Sequence, residues 1–141
     1  MEVFIDYLGE LNWLAIIVAS LVAFLSGAVW YSKSLFGNKW KKTVGLSDKQ
    51  VNSGNMSEII IISAVGVFIT TVAIGLLVDV LVLTTVVQGA LLGTMVAVGI
   101  LGANKLMQVK FEQRPITYWY ITLGGDIVAL SLMSAILAVW A

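Results

Sequence analysis

Four long apolar stretches organise the chain, each close to the roughly 20 residues that a helix needs to cross a bilayer. They cover about 11–32, 58–80, 84–106 and 116–140. The first carries no charge, the second is bracketed by Glu58 and Asp79, the third reaches Lys105, and the fourth contains one charge, Asp126. The second and third almost run together. As one helix they would be about twice as long as a bilayer requires, so a tight turn is expected after Asp79, with Thr84 and Thr85 as capping signals. The pattern predicts an all-α membrane protein, a single four-transmembrane-helix bundle over residues 1–141.

Two shorter segments have one apolar face. Val3, Phe4, Tyr7, Leu8 and Leu11 recur at helical spacing opposite Glu2, Asp6 and Glu10. Phe36, Trp40 and Val44 recur every four residues among Lys39, Lys41 and Lys42. Such short amphipathic helices suit the membrane surface, and the basic one suits anionic lipid. Ser47 through Gln50 reads as a capping box, and Ser57 as a cap for the second span.

Composition agrees with lipid as the solvent. Hydrophobic residues make up 60% and charged residues 11%, against about 45–50% and about 25% in soluble domains. The net charge of zero hides an asymmetry. All eight Lys and Arg residues (Lys33, Lys39, Lys41, Lys42, Lys49, Lys105, Lys110 and Arg114) fall at the first and third connections. The other side carries Glu2, Asp6, Glu10 and Asp79. By the positive-inside rule, 33–57 and 106–115 are cytoplasmic and both termini lie outside, in a cytoplasmic (inner) membrane. The acidic N-terminus is unlike a cleavable signal peptide. Trp13 and Trp140 are expected at the outer interface, and Trp30, Tyr31, Tyr118, Trp119 and Tyr120 at the inner one.

The absence of Cys and His removes thiolate chemistry, the usual general base and the commonest metal ligands. No catalytic set, metal site or cofactor is expected, and the chain does not read as an enzyme. The basic residues are explained by topology and give no argument for nucleic acid. Membrane lipid and further copies of the chain are the expected partners.

Asp126 is the sharpest chemical feature. Ten residues into its span, it lies about 15 Å deep, near the middle of a core about 30 Å thick. A carboxylate there is costly unless protonated, paired or wetted. Gly124 and Gly125 precede it, and an unwound backbone at that pair would make an ion or proton site. Lys105, beside Asn104, is the available counter-ion. With the third span ending there, its ammonium snorkels to the interface, and pairing with Asp126 requires a deeper helix. Ser63, Thr70, Thr71, Gln88 and Thr94 are expected as interhelical hydrogen-bonding groups. Two small-residue rows, Ala15, Ala19, Ala23, Gly27 and Gly89, Gly93, Ala97, allow close helix approach within the bundle or between subunits.

The first span and its exit contain Asn12-Trp13, Gly27-Ala28-Val29-Trp30-Tyr31-Ser32, Leu35-Phe36-Gly37 and Lys39-Trp40, and the last span closes Ala135-Ile136-Leu137-Ala138-Val139-Trp140. This pattern resembles an uncharacterised family of small bacterial four-span membrane proteins, the DUF1761-like proteins. The resemblance implies the four-span architecture and makes Asn12, Trp13, Trp30, Tyr31, Phe36, Gly37 and Trp40 family-motif candidates, as a functional surface or as a packing signature. It supplies no reaction, substrate or partner. The expected function is a small oligomeric transport or channel-like protein with an intramembrane carboxylate. The alternative is a non-catalytic membrane module for lipid binding or complex assembly.

Overall fold

A computed structural model describes residues 1–140, so Ala141 lies outside the described residues. The described residues form helices and turns, without strands. A short helix α1 (Glu2–Glu10) precedes α2 (Trp13–Trp30). Two short helices follow, α3 (Gly37–Val44) and α4 (Asp48–Ser53). The second span is α5 (Met56–Val80). The third is continuous over Val86–Phe111, as α6 (Val86–Met95), a π-helical segment (Val96–Gly102) and α7 (Ala103–Phe111). The last is α8 (Ile116–Val139). Four helices are thus long and apolar enough to span a membrane, as the sequence pattern predicts. The protein is an all-α membrane protein.

Local chemistry sets the boundaries. Asn12 caps α2, accepting from the Ala15 amide at 3.2 Å, and its Nδ2 donates to the Trp140 carbonyl at 2.9 Å. One side chain therefore joins the start of the first span to the end of the last. Ser47 and Gln50 form the expected capping box on α4. A second box, Thr85 with Gln88, opens α6, so Gln88 serves the cap instead of reaching across the bundle. Asn55, rather than Ser57, caps α5 by accepting from the Glu58 amide at 3.1 Å; Ser57 already lies in the first turn. The turn between α5 and α6 closes through Val82, whose φ of 53° is left-handed.

The helix α8 is the hub. It packs against α2, α5 and the whole third span, and its apolar window is 44% buried against 17% for α5. The core, including Ala15, Ile16, Ala19, Ile74, Val78, Leu92 and Met133, lies mainly toward the end that carries the termini. Large side chains elsewhere on the spans, such as Leu14, Ile17, Leu21 and Leu25, face outward. In a bilayer these outward chains stay in an apolar solvent.

Both small-residue rows, apart from Gly27, pack within the chain. A Cβ on Gly89 or Gly93 would run into the α8 backbone at Ser134–Ala135 or Leu130–Ser131, and Ala97 is fully buried. Ala15, Ala19 and Ala23 are likewise buried, while Gly27 opens onto a crevice. Six of the seven row residues thus build this bundle. Thr94 and Ser131 add one interhelical hydrogen bond at 2.9 Å. Thr70 and Thr71 instead bond back to the Gly66 and Val67 carbonyls of their own helix.

Candidate functional site

Toward the end bearing the basic connections, the N-terminal half of α5 leaves the bundle. Residues 56–66 are exposed on every face of that helix, while Thr71, Ile74, Gly75 and Val78 nearer its other end are buried. The gap between α2, α5 and α8 is a crevice of about 920 Å³, with α3 and α4 at its mouth. Apolar and aromatic walls, including Phe24, Tyr31, Trp40, Met56 and Tyr118, lead to Thr122, Gly125 and Asp126.

Asp126 is not alone. Its Oδ2 accepts from Lys105 Nζ at 2.9 Å, and the two side chains are 30% and 27% exposed. The snorkelling expectation is therefore replaced by an ion pair, for two geometric reasons. First, the third span continues to Phe111, so Lys105 lies about 9 Å inside the helix end rather than at it. Helical side chains lean toward their own N-termini, so in these antiparallel helices Lys105 and Asp126 lean toward each other. Second, in an unbroken α-helix Lys105 would project roughly 120° around the axis from Gly93, which faces α8. Seven π-helical residues, turning less per residue, rotate it back toward that face. The connection shortens accordingly to residues 112–115, not 106–115, and Asn104 is exposed and takes no part in the pair.

The glycine pair also acts differently from expectation. α8 runs unbroken through Gly124 and Gly125. A Cβ on Gly124 would meet the Trp30 ring at 2.6 Å, and one on Gly125 would meet Trp30 at 3.0 Å and the Tyr31 hydroxyl at 3.3 Å. The two glycines are a seat for the Trp30 indole, which is fixed by Nε1 donating to the Ile121 carbonyl at 2.9 Å.

That seat explains the motif after α2. Phe36 packs on Trp30 with ring centroids 4.5 Å apart, and Trp40 meets Tyr31 edge-on at 5.9 Å. Gly37 is buried where a Cβ would overlap the Tyr31 and Ser32 carbonyls, so the chain folds back tightly there. The apolar face of α3 consequently rests on the bundle, while Lys39 and Lys42 remain exposed. Trp13 stacks on Phe68, 6.4 Å away. At the third span, Trp119 Nε1 donates to the Gly102 carbonyl at 2.8 Å, tying the π segment to α8.

Thr122 was not singled out by the sequence pattern, although it sits one turn before Asp126 and so shares its helix face. Ser63 and Tyr118, read as packing and anchoring groups, also line the crevice. No cluster of metal-ligating side chains occurs among the described residues.

The comparison with protein families decides the kinship. A family model described as a protein of unknown function (DUF1761) matches residues 14–138. The chain belongs to the DUF1761 family. Neither a curated protein nor a solved structure matches it. The match covers both halves of the ion pair and the Trp30–Trp40 motif.

Proposed function

We propose that this DUF1761 protein is a small transport protein of the cytoplasmic membrane, with Asp126 as its coupling carboxylate and Lys105 as the resident counter-ion. The observation that carries this reading is the crevice of about 920 Å³ whose lining includes Asp126, a carboxylate well inside a membrane-spanning helix. A packed structural bundle has no use for an open path to a charge there, whereas intramembrane ionisable groups at a cavity mark ion and substrate pathways. The basic end faces the cytoplasm, so the crevice opens inward and both termini lie outside. The chain acts as a homo-oligomer and is not an enzyme. The support for a second copy is the inner half of α5, exposed on all sides.

Purified protein in proteoliposomes tests this. Flux of protons or organic cations is expected from wild type and is lost in Asp126→Asn. Equal flux in that variant overturns the coupling role. No flux across a broad panel overturns transport and favours a lipid-binding module, for which the exposed Lys39 and Lys42 of α3 speak.

A further inference from the structure

The position of the two charges relative to the crevice identifies what it accepts. Asp126 lines the crevice, but Lys105 does not; it reaches the carboxylate from the third-span side. Only Oδ2 is engaged, and no other hydrogen bond reaches Asp126 among the described residues. A ligand descending the crevice therefore meets a negative group held from behind by a movable ammonium.

The path to that group is apolar and aromatic. Tyr31 and Trp40 are packed edge to face, and Tyr118 lies on the α8 side of the same space. Aromatic faces attract cations, more strongly when water is excluded. Lys33 at the mouth is positive but exposed, where salt screens it. Lys41 is paired with Asp48. Within a membrane-spanning helix, Asp126 acts through a lower dielectric than the exposed Lys33 does.

We propose that the crevice binds a lipophilic organic cation, an amine or onium centre on an apolar body, whose positive centre displaces Lys105 from Asp126. This assignment takes its biological purpose from the transport reading, but its binding test does not depend on flux. Lys105 acts as an internal surrogate for the ligand. The empty site stays electroneutral, and bound cation and Lys105 compete for one carboxylate.

Two probes of matched shape and opposite charge separate the possibilities: tetraphenylphosphonium and tetraphenylborate, measured by equilibrium dialysis of detergent-purified protein against detergent alone. Wild type is expected to bind the phosphonium saturably. Asp126→Asn weakens it about tenfold or more, Lys105→Gln tightens it several-fold, and borate binding is the same in all three. If Asp126→Asn does not fold, the double variant Lys105→Gln/Asp126→Asn replaces it, with the same loss expected. Phosphonium affinity that is unchanged without Asp126, or not raised without Lys105, overturns the proposal, as does saturable borate binding that depends on either residue. Proton flux without phosphonium binding removes this ligand class and leaves the transport reading standing. Phosphonium binding without flux of any ion does the reverse.

Discussion

Lys105 and Asp126 form the contact on which the site depends, and each is only about a quarter to a third exposed. Two unit charges at about 4 Å attract by roughly 4 kcal/mol at an effective dielectric of 20, but desolvating both offsets much of that. Removing one partner strands the other. Asp126→Asn and Lys105→Gln are each expected to destabilise the protein by roughly 1–3 kcal/mol. The double variant is expected to lose less than the sum, measured as unfolding midpoints in mixed micelles. Strictly additive losses would show that the two side chains are not coupled. Asp126 was legible from the sequence because a carboxylate among apolar residues stands out against its neighbours. Its partner was not, since Lys105 lies at the edge of an apolar stretch and only the longer helix and its π segment bring it inward.

Among the helices, shape rather than polarity governs packing. Gly93 faces the α8 backbone, where an added methyl collides, whereas a Cβ on Gly66 would meet nothing within 4 Å. Gly93→Ala is therefore expected to cost about 1–3 kcal/mol by overpacking. Gly66→Ala is expected to gain about 0.5–1 kcal/mol of helix propensity. Thermal unfolding of the two variants in the same detergent checks the opposite signs. The α3–α4 pair at the crevice mouth is held differently. Lys41 donates to Asp48 and holds its carboxyl below the ordinary 3.8. A lowered native value means that the contact is fully present above the ordinary carboxylate range and is lost as pH falls through the lowered value. Hydrogen-exchange protection of residues 37–53, corrected for intrinsic rates, is expected to fall on acidification below that range. Asp48→Asn should show the lower protection already at neutral pH, with no further change on acidification. Unaltered protection in that variant would show that the ion pair does not fasten the mouth.

Seen whole, the chain has a basic end with the large crevice and an acidic end where a smaller cavity of about 70 Å³ lies beside Glu10 and Asp79. The absence of native cysteine makes orientation directly measurable by single-cysteine labelling in intact cells and inverted vesicles. Glu2→Cys is expected to react from outside, and Lys49→Cys only from the cytoplasmic side. Ser63→Cys, well inside α5 but on the crevice, is expected to react from the same side as Lys49→Cys. Ser134→Cys, fully buried among packed helices, is expected to stay unlabelled from either side. Labelling of Glu2→Cys and Lys49→Cys from one face would rule out the orientation proposed here.

Sequence by itself determined the number of spans, their approximate limits, the segregation of charge between the two ends and the presence of a deep carboxylate. These are one-dimensional properties: a run of apolar residues long enough for a bilayer, or a charge within it, is complete in the order of residues. Tertiary structure alone decided the rest. Whether α5 follows α2 along its whole length or splays away at one end depends on which faces interlock, and no residue in 56–66 announces it. Whether Gly124 and Gly125 loosen a helix or seat an indole depends on Trp30 arriving from a separate span. The rotation of Lys105 toward Asp126 depends on a π segment pinned by Trp119. Each of these outcomes follows from contacts between residues far apart in the chain, and packing assigns to the same local pattern one of several geometries.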